Sequence, residues 1–299
     1  MSPTSPSLRD ALHWGAEELK AYGIDSYVRE SRILLRHVLD CSEEDLAGEK
    51  VAALSVKEVA EFSRLIARRQ EREPIAYITG CREFMGLEFA VDRRVLIPRP
   101  ETELLVEKVL ELFGRSPVAG VHSEPEQGYG PHPLIADVGT GSGAIGVSVA
   151  KYLPHATVFA TDVSADALEV AQMNATTHGV SDRMVFSLGS YLTALPKPME
   201  VVVCNPPYIP ESEIQRLDRD VHDYEPTIAL SGGNDGLVAY RSIFPLLQVY
   251  LPPGGNAFFE IGFDMAASLR ELAWHLAPGA RVNVYRDLAG FDRVLHLAF

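Results

Sequence analysis

The feature that most constrains the fold of this 299-residue chain is an apolar segment that leads directly into closely spaced glycines. Leu134 to Ala136 has the composition of a buried strand, Asp137-Val138-Gly139-Thr140-Gly141-Ser142-Gly143 follows it, and Ala144 to Tyr152 has a helical pattern. Glycine lets the backbone turn sharply and approach a ligand without an intervening Cβ. The strand-turn-helix order therefore predicts an α/β domain with a nucleotide-type ligand at the turn.

Short apolar segments alternate with helical segments from Leu134 onward. The predicted strands are Leu134 to Val138, Val158 to Ala160, Met184 to Ser187, Val201 to Cys204, Ala257 to Ile261 and Arg281 to Tyr285. This alternation predicts a parallel sheet with helices on both faces and a ligand beyond the carboxyl ends of the strands. Asp162, after the second strand, is the acidic position expected to bond two ribose hydroxyls.

The first part of the chain has a different pattern. Apolar residues recur at spacings of three and four from Ser7 to about Glu73, which predicts a bundle of about four helices. They are Leu8, Leu12, Leu19, Ile33, Leu34, Val38, Val59, Phe62 and Ile66. Ser55 and Glu58 form a capping-box signature, and Pro74 is expected to end the last helix.

The segment after the bundle predicts a bridge. Glu83 to Val95 alternates with turn-forming residues in the manner of a β-hairpin, Glu101 to Phe113 is helical, and Gly114 to Pro133 has the composition of an exposed loop. We therefore predict a helical bundle over residues 1–80, a hairpin linker over 81–99 and an α/β domain over 100–299.

Composition and charge exclude several classes of protein. Hydrophobic residues make up 46% of the chain without any segment that approaches a membrane span, and Met1 to Asp10 lacks a signal-peptide pattern, so we expect a cytoplasmic protein. Cys41, Cys81 and Cys204 have no metal-type spacing, which favours reduced structural thiols and no metal site.

The net charge of −14 argues against a direct nucleic-acid partner, because phosphate binding needs clustered Lys and Arg. The most basic segment, Arg64 to Arg72, includes Arg68, Arg69 and Arg72. We interpret it as a solvated helix face.

A second motif bears on the choice of cofactor. The glycine spacing alone fits both dinucleotide binders and S-adenosylmethionine binders, although the Gly-x-Gly-x-Gly form resembles motif I of class I methyltransferases. Val201 to Cys204 reads as a buried strand that ends in Asn205-Pro206-Pro207-Tyr208. This tetrapeptide resembles the signature of methyltransferases that modify planar nitrogens, namely base amino groups and the glutamine amide.

The residue types in this motif suit that chemistry. The side-chain oxygen of Asn205 and the carbonyl of Pro206 can each accept one N–H of a substrate NH₂ group and so aim its nitrogen. The prolines, Pro206 and Pro207, stiffen the loop, and Tyr208 offers an aromatic face for stacking. Asn205, Pro206 and Tyr208 are therefore the predicted catalytic residues.

Three further segments resemble hallmarks of the peptide chain release factor glutamine N5-methyltransferase family. They are Arg72-Glu73-Pro74-Ile75-Ala76-Tyr77-Ile78-Thr79-Gly80, Leu96-Ile97-Pro98-Arg99-Pro100-Glu101-Thr102-Glu103 and Asp287-Leu288-Ala289-Gly290-Phe291-Asp292-Arg293-Val294. With the two motifs above, they cover the chain from end to end. The resemblance implies a Rossmann-like α/β methyltransferase domain over residues 100–299 with a seven-stranded mixed sheet, a small all-helical N-terminal domain that helps to hold the protein partner, and a β-hairpin bridge.

The resemblance also implies the chemistry and its residues. The cofactor would be S-adenosyl-L-methionine, leaving S-adenosyl-L-homocysteine, and the substrate the Gly-Gly-Gln glutamine of bacterial-type class I release factors, whose methylation modulates translation termination. Cofactor-binding residues would be Gly139, Thr140, Gly141, Ser142, Gly143, Asp162, Tyr191 and Asn205. Substrate-binding residues would be Asn205, Pro206, Pro207, Tyr208, Leu96 and Arg99. Where the family usually has an acidic residue before the aromatic one, this chain has Ser190 before Tyr191.

Three other functions remain open at this point. The first is methylation of exocyclic amino groups of nucleic-acid bases, which needs a basic track and a pocket for an unpaired base. The second is an adapter that binds release factors or ribosomes and has lost activity, and the third is a nicotinamide oxidoreductase. We expect a monomer that methylates protein, without a direct nucleic-acid or membrane partner.

Overall fold

The computed structural model describes residues 6–47, 53–116, 130–195 and 198–299. The chain divides into two compact units. The smaller comprises Met1–Gly80 and Asp218–Tyr224, and the larger comprises Cys81–Leu217 and Glu225–Phe299. Residues 117–129, the greater part of the loop predicted over Gly114 to Pro133, lie outside the described residues.

The smaller unit is helical, as the apolar spacing predicts. Its N-terminal helices are α1 (Leu8–Ala21), α2 (Tyr27–Leu39), α3 (Glu43–Ala47), α4 (Val56–Gln70) and α5 (Ile75–Thr79). The capping box at α4 is confirmed, since the Ser55 hydroxyl accepts from the Glu58 amide and the Glu58 carboxylate accepts from the Ser55 amide. The expectation that Pro74 ends a helix is wrong. α4 ends at Gln70, and Pro74 immediately precedes α5, where a missing N–H costs nothing.

The core of this unit forms around Leu19, Leu34, Phe62 and Leu65, each at most 1% exposed. Phe62 lies near the centre of α4, and its ring fits only where the backbone of a neighbouring helix comes close. Gly15 of α1 supplies it, because a Cβ at this position would lie 2.6 Å from the Phe62 ring. The predicted apolar faces therefore pack together.

The interpretation of Arg64 to Arg72 as a solvated face is wrong for Arg69. This side chain is buried, with its Nε 2.6 Å from Glu30 and its Nη2 2.8 Å from Asp220. Asp220 lies in the returning segment Asp218–Tyr224 of the same unit, 151 positions away in sequence. A partner so distant in sequence leaves no local pattern that would reveal it.

The larger unit begins with a hairpin of β1 (Cys81–Phe84) and β2 (Leu87–Ala90), shorter than predicted. Its two-residue turn has positive φ at Met85 (54°) and Gly86 (71°), as a type I′ turn requires. Residues after Ala90 do not continue the ladder, because the chain turns at Asp92, whose carboxylate accepts from the Arg94 amide.

The main sheet is seven-stranded and mixed. Its strands are β3 (Leu134–Val138), β4 (Thr157–Asp162), β5 (Met184–Leu188), β6 (Val201–Cys204), β7 (Asn256–Glu260), β8 (Arg281–Arg286) and β9 (Asp292–Ala298), in the order β5-β4-β3-β6-β7-β9-β8. The first five are parallel and β9 is antiparallel to β7 and β8. The fold class is confirmed, but the strand periodicity missed β9 and the antiparallel edge.

Helices of the larger unit are α6 (Glu103–Leu112), α7 (Ala144–Tyr152), α8 (Ala165–Thr177), α9 (Glu211–Ile214), α11 (Val238–Tyr250) and α12 (Ala266–Leu276), while α10 (Arg219–His222) belongs to the smaller unit. Side chains that alternate along β3 enter different cores. Ile135 packs in the cluster of α6 and α7, and Ala136 and Val138 pack in the cluster of α11 and α12. Two covered faces leave the carboxyl ends of the strands as the accessible edge.

None of the helices within the four described ranges is long and apolar enough to cross a lipid bilayer.

Candidate active site

The glycine turn lies at the carboxyl end of β3 and has the backbone that its sequence demands. φ is 74° at Gly139 and 55° at Gly141, and the amides of Gly139 and Thr140 both donate to the Thr161 carbonyl of β4. A Cβ at Gly139 or Gly141 would meet no heavy atom within 4 Å. That open space belongs to a cavity of about 310 Å³ lined by both glycines, so the turn presents bare backbone to a ligand.

The Asp137 side chain stabilises the glycine turn through hydrogen bonds. Its Oδ2 accepts from the Thr140 hydroxyl at 2.6 Å and from the Gly146 amide at 2.9 Å, and burial raises the pKa of this carboxyl to about 6. Gly146 allows the contact, since a Cβ there would lie 2.7 Å from Asp137 Oδ2. The fully buried carboxylate thereby ties the turn to the first residues of α7.

Asp162 lies at the end of β4 and lines the same cavity. Its Oδ2 accepts from the Gly141 amide and its Oδ1 from the Ser164 amide, both at 2.9 Å. Each carboxylate oxygen has a second lone pair, so two acceptor sites remain for ligand hydroxyls. The position and the chemistry both suit the predicted ribose contact.

Tyr191 lines the cavity together with Gly189 and Ser190. Its φ of 49° is uncommon for an aromatic residue, and its carbonyl accepts from the Thr161 hydroxyl at 3.3 Å. Burial raises the pKa of the half-buried phenol. The strained backbone fixes the ring at the edge of the cavity.

The cavity brings together much of the predicted site. Its lining residues are Arg94, Val95, Leu96, Gly139, Gly141, Asp162, Val163, Ser164, Ala167, Gly189, Ser190, Tyr191, Asn205, Pro207, Pro226, Ile228, Ala229 and Ser231. Thr140, Ser142 and Gly143 build the turn without belonging to this lining, and Pro206 and Tyr208, which follow Asn205 in the loop, are also outside it.

Arg99 also lies outside the cavity lining, unlike Leu96. Its guanidinium is 2.5 Å from Oε1 of Glu225, whose side chain is 1% exposed, and Oε2 of Glu225 accepts from the Ile97 amide. The buried carboxylate therefore holds both the Ile97 backbone and the Arg99 side chain in fixed positions.

Asn205 begins the loop after β6 and is held by a residue that precedes α6. Asn205 Nδ2 lies 3.3 Å from Thr102 Oγ1, and Thr102 Oγ1 donates to Glu260 Oε2 at 2.5 Å. Tyr208 OH donates to the other oxygen, Glu260 Oε1, at 3.3 Å. Both ends of the Asn-Pro-Pro-Tyr loop are thus connected to one carboxylate.

Glu260 is 2% exposed, and burial raises the pKa of its carboxyl to about 7. Burial and the nearby Glu260 also raise the pKa of Tyr208 far above its usual value, so this phenol stays protonated. The backbone of Glu260 is fixed as well, since its carbonyl accepts from the buried Tyr240 hydroxyl at 2.7 Å. Tyr208 is therefore a permanent donor to Glu260.

A glycine-rich segment braces the backbone of the same loop. The Ile209 amide donates to the Leu230 carbonyl and the Gly232 amide to the Ile209 carbonyl. Gly236 has φ of 76°, and a Cβ there would lie 2.4 Å from the Tyr208 carbonyl oxygen. This close approach requires glycine and keeps Tyr208 from shifting.

The sequence motifs did not single out Thr102, Glu260, Glu225 or Gly236. Signals for two of them are visible in retrospect. Glu260 is an acidic residue that ends an otherwise apolar strand at the functional edge of the sheet, and Gly236 belongs to the segment Gly232-Gly233-Asn234-Asp235-Gly236. Thr102 lies within the segment Leu96 to Glu103 that resembles a family hallmark, although nothing local points to its partner Glu260. Glu225 carries no signal, because the Ile97 amide that it accepts from lies more than a hundred positions away.

Known protein families match both parts of the chain. Residues 10–80 match the family described as PrmC N-terminal domain, and residues 130–220 match the methyltransferase small domain.

Relatives extend over nearly the full length. A release factor glutamine methyltransferase of Bradyrhizobium diazoefficiens is 38% identical over 98% of this chain and 95% of its own. The protein of the same name from Moorella thermoacetica is 39% identical over 96% of each chain. A bifunctional methyltransferase of Rickettsia typhi is 36% identical over 98% of this chain but only 57% of its own length.

Solved structures agree on the fold. The hMettl16 catalytic domain in complex with a MAT2A 3′UTR hairpin has a TM-score of 0.57 at 18% identity, covering 75% of this chain and 81% of that one. A methyltransferase of Pyrococcus furiosus has a TM-score of 0.51 at 19% identity, covering 79% and 98%. At these identities the likeness shows the methyltransferase fold.

Proposed function

The chain belongs to the release factor glutamine methyltransferase family, and we propose that it methylates the side-chain amide nitrogen, N5, of the Gly-Gly-Gln glutamine in bacterial-type class I release factors. One observation carries the proposal. Gly139 and Gly141, the bare-backbone turn, line the same cavity as Asn205 and Pro207, the start of the loop suited to a planar nitrogen. The names of the full-length relatives support the substrate.

The methyl donor we propose is S-adenosyl-L-methionine, which supplies an electrophilic methyl group on a sulfonium sulfur and leaves as S-adenosyl-L-homocysteine. The residues that would hold it fit such a group. The glycine turn offers a cradle that side chains would fill, Asp162 has free acceptor sites for ribose hydroxyls, and Tyr191 offers a ring for the adenine. We propose no role for a metal.

On the substrate side, we propose that the Asn205 side-chain oxygen and the Pro206 carbonyl each accept one N–H of the glutamine amide. An amide nitrogen is a poor nucleophile because its lone pair is delocalised into the carbonyl. Two acceptors that hold both hydrogens localise this pair and aim it at the methyl group. After the methyl group has been transferred to the glutamine nitrogen, that nitrogen loses a proton to a water molecule or a backbone carbonyl. The site therefore needs no strong base.

We propose that Tyr208 positions the substrate through its ring. Its hydroxyl is engaged by Glu260, so its ring is held in one orientation and can stack on the planar amide. Leu96, from the cavity lining, and Arg99, held by Glu225, would wall the glutamine pocket. The helical unit, which carries no catalytic motif, would hold the protein partner.

Transfer of a radioactive methyl group tests the proposal. A release factor made without prior methylation is incubated with this protein and labelled S-adenosylmethionine, beside a variant release factor with Asn in place of the Gly-Gly-Gln glutamine. We expect label only in the intact release factor. Equal labelling of both, or labelling of added tRNA or DNA in their place, would contradict the assigned substrate.

A further inference from the structure

We propose that Thr102 and Glu260 are positioning residues that determine which end of the Asn205 amide faces the substrate. The inference deepens the proposed function and rests on it. Asn205 contributes to catalysis only if its oxygen, and not its NH₂ group, points at the glutamine nitrogen. A side-chain amide has similar shape at both ends, so packing alone does not select between them.

The number of hydrogens available for the hydrogen bonds from Asn205 through Thr102 to Glu260 decides the orientation of the Asn205 amide. An ionised Glu260 only accepts hydrogen bonds, so the single hydroxyl hydrogen of Thr102 goes to Glu260 Oε2. Thr102 Oγ1 then has only lone pairs left for Asn205. The Asn205 atom at 3.3 Å from it must therefore be the donor, Nδ2, which turns Oδ1 away from Thr102. The carboxylate thus sets the amide orientation through one intervening hydroxyl.

The fold keeps these three groups together. β6 and β7 are parallel neighbours in which Cys204 pairs with Phe259, so Asn205 and Glu260 follow side by side at the edge of the sheet. Thr102 is 4% exposed, and its backbone amide is held by the Arg99 carbonyl at 3.1 Å. Water therefore has little access to compete for the Thr102 hydroxyl.

Burying the Glu260 carboxylate costs free energy, yet a neutral glutamine of the same shape would not orient the Asn205 amide. With glutamine at position 260, one of the two terminal atoms would be a donor. If that donor faced Thr102, the threonine hydrogen would turn toward Asn205 and reverse its amide. If it faced Tyr208 instead, it would meet the phenolic hydrogen. Only the carboxylate accepts from Thr102 and Tyr208 together.

Two substitutions at Thr102 separate positioning from packing. Thr102→Val keeps the shape but removes the hydroxyl, whereas Thr102→Ser keeps the hydroxyl and removes a methyl group. We expect kcat with release factor to fall about 10-fold to 100-fold in Thr102→Val, because a misoriented amide opposes the substrate N–H. The kcat of Thr102→Ser should be close to that of the wild type, because the hydroxyl is retained. Thr177→Val, the same change at an exposed position on α8, serves as the control.

The pattern across kinetic constants distinguishes the outcomes. Positioning predicts a loss in kcat with little change in KM for the release factor and an unchanged affinity for S-adenosylhomocysteine in calorimetry. Equal kcat in Thr102→Val and Thr102→Ser, with active wild-type protein, would overturn the inference and leave the proposed function intact. A wild-type protein without transfer to any release factor would instead defeat the proposed function.

Discussion

Asn205 and Thr102 are separated by 103 positions in sequence, yet the amide nitrogen of one lies 3.3 Å from the hydroxyl oxygen of the other. This contact joins the loop after β6 to the segment that precedes α6. Asn205 lines the same cavity as Gly139 and Gly141 of the glycine turn. The contact therefore connects the proposed substrate loop to a cavity shared with the proposed cofactor site.

Asn205→Ala should abolish the function of the substrate loop while sparing the cofactor site. Without the side-chain oxygen, one hydrogen of the glutamine amide loses its acceptor, and we expect kcat/KM to fall at least about 100-fold. Calorimetric titration with S-adenosylhomocysteine should give a dissociation constant within about 10-fold of the wild type. Equal losses of activity and cofactor affinity would indicate that Asn205 serves the cofactor alone.

Asp162→Ala should act on the proposed cofactor site. The change removes the acceptors proposed for the ribose and frees the Gly141 amide from its partner. We expect the dissociation constant for S-adenosylhomocysteine to rise about 10-fold to 100-fold, or about 1.4 to 3 kcal/mol. Asp182→Ala removes an exposed carboxylate outside the cavity lining and is the matched control. Indistinguishable titrations for the two variants would refute the assignment of Asp162.

The pH dependence of catalysis should reflect Glu260. Its carboxyl has a pKa raised to about 7 by burial; Thr102, Tyr208 and Arg293 favour the ionised form, and Glu101 opposes it. The ionised form orients Asn205, so kcat should rise with pH through about 7 in the wild type. This rise should be absent in Glu260→Gln, whose side chain does not titrate. Parallel pH profiles for both proteins would show that Glu260 does not control the amide.

Glu260 should make stability fall with rising pH, whereas it makes kcat rise. The folded-state pKa of about 7 exceeds the ordinary value of 4.5, so the folded protein binds more protons between these pH values. The free energy of unfolding contributed by Glu260 therefore falls as pH rises from about 4.5 to 7, by about 3 kcal/mol in total. Denaturation curves of wild type and Glu260→Gln should consequently differ most in their pH dependence across this window.

Arg69→Ala should destabilise the smaller unit. The guanidinium pairs with Glu30 and Asp220, and its removal leaves the largely buried Glu30 carboxylate without its partner. We expect a loss of about 3 kcal/mol in the free energy of unfolding. Arg64→Ala breaks a pair that is 58% and 44% exposed and should cost less than about 1 kcal/mol. Similar urea midpoints for the two variants would contradict the structural role of Arg69.

Residues whose role follows from neighbours in sequence were predictable. The turn at Gly139 and Gly141 and the capping box at Ser55 depend on local backbone, and each is visible as a short pattern. Contacts that depend on tertiary structure were not. Arg69 meets Asp220 and Thr102 meets Glu260 across more than 150 positions, and no periodicity encodes such pairs. β9 was missed because it lies antiparallel between β7 and β8, whereas the strand-helix alternation predicts parallel strands.

The most direct test of the central claim is mass spectrometry of an unmethylated release factor after incubation with this protein and S-adenosylmethionine. We expect a mass gain of one methylene group on the Gly-Gly-Gln glutamine, and no gain when the protein carries Asn205→Ala. An unchanged release factor, with S-adenosylhomocysteine binding intact in the wild type, would contradict it and point to a nucleic-acid or other protein substrate.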